Sequence, residues 1–132
     1  MCKKLLIVLV VCLALFSALA ACGGAPSSNS STSTASGNTI HMEDNSFQQS
    51  SVTIQKGQSI TLVNDSGTPH FIADGTWKNG SASAEKDAGA PSVDNLQISG
   101  NATQSIGPFN SAGTFQLYCT IHPGMNLAVV VQ

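Results

Sequence analysis

The chain is 132 residues long with a formal net charge of −2, and 9% of its residues are charged, against about a quarter in ordinary domains. It has no arginine, and beyond residue 21 it keeps three lysines against seven carboxylates. No basic surface can form to neutralise phosphates, which excludes nucleic acid as a partner.

Lys3-Lys4 precede an apolar run from Leu5 that ends in Leu19-Ala20-Ala21, the basic–apolar–small order of an export signal. The 17 residues from Leu5 to Ala21 lie at the short edge of what spans a bilayer, so a cleaved signal is a better reading than an uncleaved membrane helix. A cysteine directly after Leu-Ala-Ala resembles the signal of bacterial lipoproteins. That resemblance implies removal of residues 1–21 and lipidation of Cys22, leaving the chain outside the cytoplasm and anchored to the bacterial cell membrane. Residues 22–38 then form the lipidated cysteine and a Ser/Thr/Gly linker without apolar periodicity. The 16 residues from Gly23 to Asn38 reach roughly 20–24 Å as a random coil.

Cys2 and Cys12 fall in the signal and Cys22 carries lipid, so Cys119 is the one cysteine left to the folded part. Exported domains often use cysteines in disulfide pairs. A lone thiol in an oxidising compartment must be buried, catalytic or metal-bound, and His122 three residues on favours metal.

Residues 39–132 are 94 in number, one small domain able to bury roughly 60–65% of its unfolded surface. Thr39–Glu43, Ser51–Gln55, Ser59–Val63 and His70–Ala73 alternate apolar and polar residues and are separated by turns at Lys56-Gly57 and Asn64–Gly67. Met42 faces the core on this period and His41 the surface, so the two do not converge on one ligand. Further strands fall at Leu96–Ser99, Ala102–Ile106, Gly113–Cys119 and Asn126–Val131, and no stretch of the domain has a helical period. Eight short strands of this kind make an antiparallel sandwich or barrel. Between Asp74 and Asn95 the pattern lapses into a turn-rich run whose one anchor is Trp77, expected to pack back on the sheets. Runs this long are usually functional or mobile. The Asn-x-Ser/Thr matches at Asn64, Asn79 and Asn101 are chance in so polar a chain.

The chemistry gathers at the end of the seventh strand. Cys119, His122 and Met125 stand at Cys-x-x-His-x-x-Met spacing, and His70 closes a strand about fifty residues upstream. Two imidazoles, a thiolate and a weak thioether are the ligand set of a blue-copper electron-transfer site. Thiolate and thioether favour Cu(I) and imidazole accommodates Cu(II), so one fixed cage holds both states. Structural zinc rarely uses methionine and commonly uses two or more cysteines. Cys119 and His122 lie too close on one short loop for a nucleophile and its base, and both aim better at a shared ion, so substrate turnover is not expected.

The segment Asp65-Ser-Gly-Thr-Pro-His70, then Phe109, then Gly113-Thr-Phe-Gln-Leu-Tyr-Cys-Thr-Ile-His-Pro-Gly-Met125, resembles the small cupredoxins across residues 39–132. Two residues between His122 and Met125 are most similar to the short loop of amicyanin-type members. The resemblance implies a Greek-key antiparallel β-sandwich of about eight strands binding one copper ion. His70, Cys119 and His122 would form the trigonal plane, with Met125 as the long axial contact. His122 would put its ring edge near solvent, with Pro123 and Gly124 forming a weakly polar docking patch for redox partner proteins. Tyr118 would offer a second electron route through the adjacent cysteine, and the protein would act as a monomer. One position departs from the pattern. Relatives place asparagine after the first histidine, where it bonds across to the cysteine loop; here that residue is Phe71. The tether between the loops must therefore differ. The function expected is a membrane-anchored electron carrier, the alternative being a module that delivers or stores copper itself.

Overall fold

The structure, a computed structural model, describes residues 37–132. The signal expected at 1–21, the expected lipidation residue Cys22 and nearly all of the expected linker lie outside the described residues.

Ten strands follow one another: β1 (Thr39–Met42), β2 (Ser51–Ile54), β3 (Ile60–Asn64), β4 (His70–Asp74), β5 (Thr76–Lys78), β6 (Ser81–Ser83), β7 (Leu96–Ile98), β8 (Thr103–Ile106), β9 (Gly113–Cys119) and β10 (Asn126–Val131). They form a three-stranded sheet in the order β1-β3-β8, a five-stranded sheet in the order β2-β10-β9-β4-β7, and the separate hairpin β5-β6. All eight strands read from the alternation are present, with ends shifted by one residue at most of them. The sandwich is as expected, but its pairing is not wholly antiparallel: β1 pairs with β3, and β2 with β10, in parallel. The cause is a chain that leaves β1 for β2 in the other sheet and returns to β3, so the sheet-mates β1 and β3 point the same way.

Period-two alternation places the core. β2 and β3 bury every second residue (Val52 and Ile54; Ile60 and Leu62), and β10 does the same with Leu127, Val129 and Val131. Phe109 is fully buried and its ring tilts against Phe115 at 5.7 Å between centroids. Met42 is buried while His41 stays half-exposed, its Nδ1 2.7 Å from Asp65 Oδ2.

The run between Asp74 and Asn95 is a correction to the sequence reading. Residues 76–83 form the β5-β6 hairpin, turning at Asn79 (φ 50°) and Gly80 (φ 79°). Two consecutive positive φ angles on Asn-Gly are what a tight two-residue hairpin turn requires. Gly75, which leads into the hairpin at φ 127°, has no room for a side chain: a Cβ there would run into the Ser83 carbonyl oxygen. The run is anchored further by Asp74, whose Oδ2 accepts from the Val93 N–H at 2.8 Å, and by Asp87, whose Oδ2 accepts from the Gln116 N–H at 2.8 Å.

Candidate metal centre

β4 opens with His70 and β9 closes with Cys119, and the antiparallel register of these neighbours, Ile72 opposite Cys119, brings the two residues to the same end of the sheet. His70 is presented by the turn 64–69. The buried Asn64 side chain organises that turn, its Nδ2 donating to the carbonyls of Thr68 (2.8 Å) and Ser99 (3.0 Å) and its Oδ1 accepting from the Ser66 N–H (3.0 Å) and hydroxyl (2.9 Å). The ligand loop after Cys119 folds on itself. The Cys119 N–H donates to the Met125 carbonyl at 3.0 Å and the Met125 N–H to the His122 carbonyl at 3.1 Å.

These elements bring three donor atoms together. His122 Nδ1 lies 3.2 Å from His70 Nδ1 and 3.4 Å from Cys119 Sγ, and the ring planes of the two histidines stand 68° apart. A metal ion about 2.0 Å from nitrogen and 2.3 Å from sulfur, at tetrahedral angles, needs roughly 3.3 Å between nitrogens and 3.5 Å from nitrogen to sulfur. The two spacings to His122 fit an ion, and all three donor atoms lie within 4.8 Å of one another. Two imidazole lone pairs and a thiol converging at such distances repel one another unless a cation or a proton lies between them. Burial, and then the nearby His122, hold His70 below the usual histidine range, with the Glu43 carbonyl and Asp44 opposing the shift. His70 is therefore neutral at neutral pH, with a lone pair available to a metal. Its Nδ1 faces the donor group, and its Nε2 is buried without a hydrogen-bond partner.

His70 and Cys119 are fully buried, His122 is half-buried, and Met125 is buried on the turn that closes the loop. Soft sulfur beside imidazole in a mostly dry pocket suits copper better than a hard cation. Pro123 and Gly124 are exposed as expected, Gly124 at φ 81°. Tyr118 is not at the surface. It lies on the outer face of β9 yet is buried, because the β5-β6 hairpin covers it and the Trp77 ring stands edge-on to it at 6.0 Å. A partner approaching this side meets the half-buried Trp77 before Tyr118.

Five further residues shape the site. The Thr120 N–H donates to the Phe71 carbonyl at 2.8 Å, and the Thr120 hydroxyl to Asn95 Oδ1 at 3.3 Å. The tether that relatives draw from the residue after the first histidine is thus built here from the Phe71 main chain and an asparagine on another loop. Asn64 opens a turn with Ser two residues on, a recognisable side-chain turn signal whose reach to Ser99 no local pattern gives. Ile121, beside His122, is 48% exposed and is the one large apolar side chain so exposed among the described residues.

Residues 34–132 match the model of copper binding proteins of the plastocyanin/azurin family. The chain is 35% identical to amicyanin-alpha of Methylorubrum extorquens over 86 residues, 65% of this chain, and spans 64% of that relative's length. It is 34% identical to the plastocyanin of Scenedesmus fuscus over 82 residues, covering 61% of this chain and 79% of the other. Amicyanin from Paracoccus versutus superposes with a TM-score of 0.54 at 26% identity, covering 71% of this chain and 79% of that one. A purple cupredoxin from Nitrosopumilus maritimus, at 19% identity and a TM-score of 0.55 over 71% of this chain and 98% of its own, shares the fold.

Proposed function

Because the chain belongs to the plastocyanin/azurin family of copper-binding proteins, we propose that it is a membrane-anchored carrier of single electrons, holding one copper ion among His70, Cys119, His122 and Met125. The observation that carries this reading is the convergence of two imidazole nitrogens and one thiol sulfur, all within 4.8 Å of one another, at the end of a rigid sheet. Bound copper supplies a one-electron Cu(I)/Cu(II) couple. The protein's part is to keep the geometry the same in both states. His70 and Cys119 are held by paired strands, and the ligand loop is tied internally through Met125, so little reorganisation accompanies the change of charge. His122 is the least buried of the three and provides the way out.

Around His122, the exposed Ile121, Pro123 and Gly124 form a small apolar docking patch. A patch this small suits the brief, weak encounters of redox partners, where release matters as much as binding. Lipid on Cys22 would hold the domain at the membrane, and the linker would let it turn between donor and acceptor.

The test is the absorption and EPR spectrum of the Cu(II)-loaded protein, followed by reduction with ascorbate and reoxidation. An intense thiolate-to-copper band with narrow copper hyperfine splitting, bleached and restored, is expected. A protein that sheds copper on reduction would be a copper carrier instead, and a colourless one would point to zinc. The anchor is tested separately by mass spectrometry of the mature chain: an N-terminal Cys22 carrying a diacylglyceryl thioether is expected, and an unmodified Cys22 or a retained residue 1–21 segment would overturn that part.

A further inference from the structure

Cys119 has a carbonyl that its own sheet cannot satisfy. At this point the strand ladder would offer the Met125 N–H, but that group is spent inside the loop on the His122 carbonyl. The indole of Trp77 takes its place, Nε1–H donating to the Cys119 carbonyl at 2.8 Å across 42 residues of sequence. Trp77 is itself held at the backbone. Its N–H donates to Asn126 Oδ1 at 2.7 Å, and Asn126 Nδ2 donates back to its carbonyl at 3.1 Å. Asn126 directly follows Met125, so the clamp that fixes the tryptophan comes from the ligand loop's own exit.

We propose that Trp77 is a positioning residue for the Cys119 thiolate, acting through the Cys119 carbonyl, an inference that rests on Cys119 being a copper ligand. With the Cys119 N–H on Met125 and its carbonyl on Trp77, both main-chain polar groups of the cysteine are pinned, and only side-chain rotation is left to aim the sulfur. The indole N–H sets the positive end of a dipole against the carbonyl of the residue that carries the thiolate, which favours the more electron-rich reduced state. Removing the N–H therefore lowers the reduction potential, and freeing the carbonyl loosens the sulfur. Losses of partners one bond removed from a ligand typically cost 10–100-fold in metal affinity.

A purely structural role, in which Trp77 only covers Tyr118, leaves the potential alone. The experiment uses the full chain with Trp77→Phe, and a second protein in which Trp77 is replaced by benzothienylalanine, which keeps the bicyclic shape and lacks the N–H. The chain has one tryptophan, so global replacement is site-specific. Copper affinity by competition, midpoint potential and EPR hyperfine splitting are measured, together with hydrogen exchange of the indole N–H in the metal-free parent. The expected result is an affinity about tenfold lower, a lower potential and altered hyperfine splitting in both replacements, with a protected indole N–H in the parent. A potential and hyperfine splitting equal to the parent's, with or without an affinity loss, would overturn the proposal, as would an unprotected indole N–H. The parent reading is separated by Cys119→Ser. If that variant keeps the intense colour, the ligand assignment fails and this inference with it; if it bleaches while the Trp77 replacements change nothing, only this inference fails.

Discussion

The buried amide of Asn64 and the thiol of Cys119 contribute to the site in different ways, and substitution separates them. Cys119 would be the electron-rich donor responsible for colour, so Cys119→Ser is expected to abolish the intense visible band of the copper-loaded protein. Met125 would contribute a weak thioether; Met125→Leu is expected to keep the band and raise the potential, because it removes an electron donor from the oxidised state. Voltammetry beside the spectrum checks both. Asn64 touches no donor atom but fixes the turn that delivers His70. Asn64→Ala removes hydrogen bonds to the partly buried groups of Ser66, Thr68 and Ser99, each worth ~0.5–1.5 kcal/mol net, and a stability loss on the order of 2 kcal/mol is expected. The denaturation midpoint of the metal-free protein reads this directly.

β9 carries the thiol, and its two halves are supported differently. Residues 117–119 pair with β4, whereas Gln116 has no β4 partner. The segment after β4 covers it instead: the Gly75 N–H donates to the Gln116 carbonyl at 3.0 Å, and the Gln116 N–H donates to Asp87. An otherwise open strand edge is closed in this way. The cost falls on Asp74, at the joint between β4 and this segment. Burial raises its carboxyl above the ordinary aspartate range, only partly offset by the Val93 N–H and by Lys86, and one oxygen has no partner. The folded state therefore binds this proton more tightly than the unfolded state does. Its contribution to stability is fully present below the ordinary aspartate pKa and is lost as pH rises through the raised one. Asp74→Asn is expected to flatten that part of the stability–pH curve and to stabilise the protein at neutral pH relative to the parent. Urea titrations on both sides of the window test it; a parallel, unflattened curve would refute the assignment.

At the scale of the molecule, the site sits at one end of the sandwich, with His122 half-buried and Ile121 the most prominent apolar group beside it. In the proposed function, electron exchange with a partner would depend on a dry, close approach at this end. Ile121→Asp places a charge in the patch without touching a candidate ligand. It is expected to slow electron exchange with a redox partner protein about tenfold or more, the equivalent of ~1.4 kcal/mol of encounter stability, while leaving the spectrum as in the parent. A change in the spectrum would mean that Ile121 supports the cage and not the encounter.

Fold class, strand positions and the candidate ligands were legible in the sequence because they rest on short-range rules. Side chains alternate with a period of two along a strand, and Cys119, His122 and Met125 share one loop, so their spacing already constrains them to one place. His70 was legible because it borders a strand that alternation had marked, although it opens that strand and does not close one as the sequence reading had it. Asn79-Gly80 was equally plain as a turn, but its polar flanks gave no alternation from which to read a hairpin. What the tertiary structure decided is which distant groups answer one another: parallel pairing of β1 with β3, Asn95 under Thr120, Trp77 on the Cys119 carbonyl and over Tyr118. The physical reason is that a hydrogen bond formed across 25 or 42 residues leaves no periodic trace in either segment. An unsatisfied carbonyl in the folded ligand loop selects its donor only once the sheets have brought the two together.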